Sequence, residues 1–267
     1  MAACWRGEMA TVILPSLRVD GKVALVTGCG AGIGRALALG LAAAGADIAA
    51  TELPARLGLA EENAAAVRAL GREGIAVPLD VTDLASIAAG VEAVQQHYGR
   101  IDILVNNAGV NIVKPALEIT PEDWDLTHQV NLRGLFFCSQ AVARVMVAQG
   151  YGKIINVASQ FGLVGYQGRA AYSASKGGVV ALTRALAVEW APYRITVNAI
   201  APTYTATVHN AALREDPTFV RAFIERIPLG RLGLPEDLIG AVVYLASPSA
   251  DLVTGQTLAI DGGWTAW

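Results

Sequence analysis

The sequence predicts an α/β fold, a doubly wound parallel sheet of about seven strands in one domain with helices on both faces. Three observations point to it. Short apolar runs alternate with longer stretches of helical spacing from Lys22 onward. No Pro-, Gly- or Ser-rich linker and no internal repeat divides the chain. Its 267 residues, 54% hydrophobic and 16% charged, suffice for a large core without disulfides. Right-handed crossovers between successive strands then dictate a parallel sheet covered on both sides.

The elements follow in order. Lys22–Thr27 reads as a buried strand, bounded by Asp20-Gly21 and by glycines. Gly32–Ala44 has helical spacing and stops at Gly45. Ile48–Thr51 is a second strand, Ala60–Glu73 an amphipathic helix, and Ala76–Leu79 a third strand. Asp83 caps a helix running to about Tyr98. Ile103–Gly109 contains the fourth strand and its exit, and Asp123–Ala148 reads as one long helix. Lys153–Ser159 is a fifth strand, followed by a glycine-rich loop and a helix from about Tyr172 to Trp190. Ile195–Pro202 is a sixth strand, Thr203–Gly233 a less regular polar segment, Pro235–Leu245 a helix and Thr257–Ile260 a last strand.

Composition excludes several classes. A mean hydropathy of +0.44 raises a membrane protein, yet Ala36–Ala46 ends at Asp47 and Leu132–Val147 contains Arg133 and Arg144. Neither reaches the roughly 18–20 apolar residues of a span. A net charge of −3 without a basic block gives no electrostatic case for nucleic acid. Cys4, Cys29 and Cys138 are far apart and have no metal-ligand spacing, as do His97, His128 and His209; reduced thiols, no metal and a cytoplasmic location are expected. Met1–Leu17 read as a loose extension, with Met9 an alternative start; 1–20 is the N-terminal extension and 21–267 the domain.

Ligands of such sheets sit beyond the carboxyl ends of the strands, where the polar signatures cluster. Gly28, Gly32, Ile33 and Gly34 lie between the first strand and its helix. Glycine permits a tight turn and close approach of a pyrophosphate to exposed helix N–H groups. Glu52 follows Gly34 by 18 residues. A carboxylate there accepts hydrogen bonds from both adenosine ribose hydroxyls and repels a 2′-phosphate, which favours NAD over NADP. A solvated strand-end glutamate is the plain alternative. Asp80 and Val81 fit an adenine edge, although an ordinary turn accounts for Asp80 equally well. Asn107, Ala108 and Gly109 fit the wall around the cofactor ribose and nicotinamide, or a turn closed by asparagine.

Tyr172 and Lys176 are four apart on a helix and project from one face. Alone the pair reads as surface. Ser159, at the tip of the fifth strand, brings a hydroxyl toward the phenol. Taking a hydride from an alcohol carbon also requires removing the hydroxyl proton. Tyrosine serves if its pKa falls from about 10 toward neutrality, and the ammonium and an oxidised nicotinamide supply positive charge. Ser159 then positions the substrate oxygen.

With these residues the sequence resembles the short-chain dehydrogenase/reductases across Lys22–Trp264. Thr27–Gly34 matches the family's TGxxxGIG, Asn106–Gly109 its NNAG, and Ser159, Tyr172 and Lys176 its catalytic trio. The resemblance implies a Rossmann-type fold and makes Tyr172 and Lys176 cofactor contacts as well. It adds Asn131 as a fourth catalytic residue supporting a proton relay to the lysine. It also implies that Pro202, Thr205 and Thr207 meet the nicotinamide carboxamide, although Thr203 stands where the family has glycine. Asn198–Thr207, Arg226–Arg231 and Asp261–Trp264 resemble the NAD-dependent gluconate, deoxygluconate and polyol dehydrogenases within it. The implied substrate is a hydroxylated small molecule and the implied assembly a homotetramer, paired through the Ala-rich faces of 123–148 and 172–190. Residues 203–233 should close the substrate pocket, with Asn111, Gln160, Tyr166, Tyr204 and His209 as candidate hydrogen-bonding groups or ordinary loop residues. Trp264 and Trp267 read as packing or interface aromatics. The competing functions are a 3-oxoacyl-carrier-protein-type reductase and an inactive nucleotide-binding protein.

Overall fold

The structure, a computed structural model, describes residues 16–208, 211 and 215–266. Met1–Ala10, with Cys4 and Met9, and His209 and Trp267 lie outside the described residues. In chain order the elements are β1 (Val23–Val26), α1 (Gly32–Ala43), β2 (Asp47–Glu52), α2 (Leu57–Ala69), β3 (Gly74–Pro78), α3 (Leu84–Tyr98) and β4 (Ile103–Asn106). There follow α4 (Pro121–His128), α5 (Leu135–Gln149), β5 (Gly152–Val157), α6 (Ala170–Trp190), β6 (Ile195–Pro202), α7 (Pro217–Ile224), α8 (Ile239–Ala246) and β7 (Thr257–Ile260). All seven strands pair in parallel in the order β3-β2-β1-β4-β5-β6-β7.

The period-two alternation of each strand sorts its side chains into two cores. Ala24 and Val26 of β1 pack with Leu37 and Leu41 of α1 and Val242 and Leu245 of α8. Val23 and Leu25 face the other way, onto Val94 of α3, Met146 of α5 and Leu186 of α6. Because both faces are covered, the strands read as continuous apolar runs. Polar side chains collect at their carboxyl ends, where Thr27, Glu52 and Asn106 are buried, while Lys153 and Asn198 are buried within β5 and β6.

Two expectations are corrected. The helix expected over 123–148 is divided into α4 and α5 by a π-helical turn, Gln129–Gly134. The wide turn accompanies inward placement of Asn131, whose Nδ2 donates to Val110 O (2.9 Å) and whose Oδ1 accepts from Val110 N (2.8 Å). The turn ends at Gly134, where a Cβ would approach Val81 O to 2.6 Å. Within the segment expected to be irregular, Pro217–Ile224 is helical; Asp216 caps it by accepting from Thr218 N at 2.8 Å. Ahead of β1, Val19 is buried and its N–H donates to Ala44 O (2.9 Å).

Candidate active site

A cavity of about 620 Å³ runs along the carboxyl ends of the strands. Its wall brings together Gly28, Ile33, Gly34, Glu52, Asp80, Val81, Asn107, Ala108, Gly109, Asn111, Ser159, Tyr172, Lys176, Pro202, Tyr204, Thr205 and Thr207. Gly32, Asn131, Gln160 and Tyr166 are not on that wall.

At one end, Gly28 and Gly32 adopt φ of +60° and +56°, the left-handed turn into α1 that glycine allows. The helix starts at Ala31 with no side-chain cap, so its first N–H groups are open to an anionic ligand. Asn107 does structural work here. Its Nδ2 donates to Thr27 O (3.0 Å) and Gly28 O (2.8 Å), tying the exit of β4 to the glycine turn. A Cβ on Gly34 would lie 2.4 Å from both Asn107 Nδ2 and Gly28 O. Gly34→Ala should therefore cost about 1–3 kcal/mol of overpacking. It should weaken nicotinamide-dinucleotide binding at least tenfold, read by denaturant melts and fluorescence titration.

Glu52 is only 6% exposed. Its Oε2 accepts from Gly30 N (3.2 Å) and its Oε1 from Leu53 N (3.0 Å). Arg56, which sequence reasoning missed, lines the cavity at the same end; its signal was its place four residues after Glu52. Asp80 Oδ1 accepts from Thr82 N and Thr82 Oγ1, an Asx turn that the cavity borders. Cys29, in the glycine turn, is a buried thiol pushed up to about 12 by desolvation. This inert residue packs rather than reacts.

At the other end Ser159, beyond β5, and Tyr172, in the first turn of α6, meet across the cavity. A hydrogen bond from Ser159 and the charge of Arg169 draw the Tyr172 phenol down, but burial dominates and leaves it above its usual value. Lys176, expected to supply positive charge to the phenol, has its Nζ 5.8 Å from the ring centroid and donates to Val157 O at 2.7 Å. Lys176 is 3% exposed, and burial lowers its pKa to about 8. Asn131 Nδ2 also donates to Ser175 Oγ (3.1 Å), so the π turn braces α6. A Cβ on Gly109 would lie 3.3 Å from Asn131 Oδ1 and 3.7 Å from Lys176 Nζ, which places both groups beside that glycine.

Thr203 follows β6 without a positive φ, so this loop needs no glycine. The glycine sits across the loop instead: a Cβ on Gly233 would approach Thr203 Cγ2 and Thr205 Oγ1 to 3.2 Å. Tyr166 stacks on Phe161 at 5.1 Å and joins Phe223 and Trp264 in an aromatic cluster behind the pocket. Gln160 is fully buried. Both were candidate substrate contacts; Tyr166 packs in that cluster, and the Gln160 amide is buried with no hydrogen-bond partner among the described residues. Sequence reasoning also missed Arg169, which lines the cavity three residues before Tyr172.

A family model described as enoyl-(acyl carrier protein) reductase matches residues 28–265. The chain is 44% identical over 256 residues to 2-dehydro-3-deoxy-D-gluconate 5-dehydrogenase of Dickeya dadantii (strain 3937), covering 96% of this chain and 100% of the relative. It is 41% identical over 251 residues to the 3-oxoacyl-(acyl-carrier-protein) reductase FabG of Thermotoga maritima, covering 92% and 99%. A gluconate 5-dehydrogenase structure from Burkholderia cenocepacia J2315, in complex with NADP and tartrate, matches with a TM-score of 0.90. Identity there is 41%, over 95% of this chain and 98% of that chain.

Proposed function

Because this chain belongs to the short-chain dehydrogenase/reductase family, we propose that it interconverts a secondary alcohol and a ketone on a sugar acid or polyol, with Tyr172 as acid/base. The observation that carries the reading is the convergence of Ser159, Tyr172 and Lys176 with the glycine turn on one cavity. The residues present fit a nicotinamide dinucleotide. The uncapped N-terminus of α1 suits its diphosphate and Glu52 its ribose, while the cavity continues without a break to Ser159. When bound, the nicotinamide accepts or donates the hydride.

The chain's own residues handle the oxygen and its proton. Ser159 holds the substrate oxygen. In oxidation Tyr172, as phenolate, takes the hydroxyl proton while the carbon loses its hydride; in reduction the neutral phenol returns the proton. Lys176 contributes charge near the phenol and, with Asn131 beside Gly109, a path for the proton toward solvent.

NAD is the proposed cofactor. The Glu52 carboxylate opposes a 2′-phosphate, whereas Arg56 beside it attracts one. Glu52→Ala should raise the NADP/NAD ratio of kcat/KM at least tenfold, and Arg56→Ala in addition should reverse that gain. A ratio unmoved by Glu52→Ala, measured in steady-state assays with both cofactors, removes the NAD assignment. A homotetramer in the cytoplasm belongs to the same proposal. Its pairing faces are those of 123–148 and 172–190, between which Leu132, Phe136, Gly178 and Leu182 line a groove. Among the described residues no helix is long and apolar enough to cross a membrane. The 3-oxoacyl reductase reading has a similar relative behind it, and a carrier-bound thioester would have to sit beside the Arg169 guanidinium that lines the cavity.

A further inference from the structure

We propose that Arg169 is a carboxylate anchor in the substrate half of the cavity, which makes the substrate a hydroxylated acid anion rather than a neutral polyol or thioester. The inference rests on the oxidoreductase reading above and adds its charge specificity.

Arg169 caps the start of α6, three residues before Tyr172, and lines the cavity while only 2% exposed. Its Nη1 donates to Asn111 Oδ1 at 2.9 Å, and its guanidinium carbon lies 5.7 Å from the Phe161 ring centroid. Its Nε is buried with no hydrogen-bond partner. No ion pair among the described residues includes it. The titratable groups that act on it are the phenols Tyr172, Tyr204 and Tyr166, with no carboxylate among them. A buried cation without a counter-ion is costly, and arginine does not escape the cost by losing its proton. An arriving carboxylate supplies what the fold omits, and a planar guanidinium can meet both of its oxygens.

The surroundings fit that occupant. Phe161 on the cavity wall is backed by Tyr166, Phe223 and Trp264, an apolar layer that lowers the local dielectric and strengthens charge discrimination. The carboxylates on the cavity wall, Glu52 and Asp80, follow β2 and β3, whereas Asn111 and Phe161 beside Arg169 follow β4 and β5. Glu52 and Arg169 are thus two to three strand positions apart, about 10–14 Å. The cavity is negative where an adenosine ribose would lie and positive beside the acid/base tyrosine. A polyol or a thioester leaves the Arg169 donors unpaired; an aldonate or its keto form pairs them a short distance from the carbon that Tyr172 serves.

D-gluconate and D-sorbitol test this, since they share a hydroxylated carbon chain and differ at one end, carboxylate against hydroxymethyl. Binding of each to the NAD-loaded protein is measured by isothermal titration calorimetry, and hydride transfer separately by nicotinamide absorbance. Wild type should bind gluconate at least tenfold more tightly than sorbitol. Arg169→Gln should lower the gluconate/sorbitol affinity ratio by about 100-fold, the size expected for charge-assisted hydrogen bonds. Asn111→Asp, at an exposed position, sets an internal carboxylate against the guanidinium and should lower the ratio at least tenfold. It carries the test if Arg169→Gln does not fold. A ratio unchanged in the folded variants, or a wild type that does not prefer gluconate, overturns the anchor. Turnover of either compound with an unchanged ratio leaves the oxidoreductase reading standing and removes the anchor alone. Charge-selective binding with no hydride transfer from any alcohol does the reverse.

Discussion

Tyr172→Phe should lower the rate of hydride transfer by about 100- to 10,000-fold, the range for loss of a positioned acid/base, while leaving the fold in place. The ring packs beside Phe161 and Phe223 in the aromatic cluster, and phenylalanine retains that packing. Only the hydroxyl is lost, and with it the partner of Ser159. The pH dependence carries the sign. Burial holds the phenol above its usual pKa in the ligand-free protein. Oxidation, which needs phenolate, should therefore rise with pH, and ketone reduction, which needs phenol, should fall at high pH. Stopped-flow measurements in both directions check this. A variant that keeps its pH profile and its rate would assign the proton transfer to another group.

Lys176→Met should abolish most turnover and yet stabilise the protein. At neutral pH the lysine is charged in both the folded and the unfolded chain. Its pKa falls from 10.5 to about 8 on burial, and a proton held against that shift costs about 3 kcal/mol at about 1.36 kcal/mol per unit. Methionine fills the same volume without the charge, but it strands Val157 O, which lysine satisfies at 2.7 Å. The net gain should be about 1–2 kcal/mol. The sign with pH follows from linkage. Between pH 8 and 10.5 the unfolded chain binds the extra proton, so the wild type gains stability across that window and the advantage of methionine shrinks. The penalty is fully present below pH 8. Urea melts of both proteins at neutral pH and near the upper end of the window check it. A methionine variant that is less stable at neutral pH would mean that the lysine is held by more than Val157. The device trades stability for a cation beside the acid/base group, as functional sites commonly do.

Some of the site was legible because its signals are local. The glycine turn announces itself between an apolar run and a helical one, and the spacing of Tyr172 and Lys176 places both on one helix face. Asn131 could be named only from resemblance; its physical work, clamping Val110 and Ser175 from a π turn, needs the neighbours that it touches. Arg169 and Arg56 escaped notice because a single arginine in a loop carries no pattern. Tyr166 and Gln160 attracted attention as polar residues near Ser159, but the path of the loop turns them away from the cavity.

The chain's own order of residues determined the layers, the parallel sheet and the end of it at which polar groups collect, because apolar periodicity and glycine stereochemistry act between near neighbours. Tertiary structure alone decided which polar side chains reach the cavity, which buried cation has no counter-ion among the described residues, and how strongly burial shifts Tyr172 and Lys176. Those quantities depend on desolvation and on partners from distant parts of the chain, such as Asn111 against Arg169, and nothing in the spacing of residues encodes them.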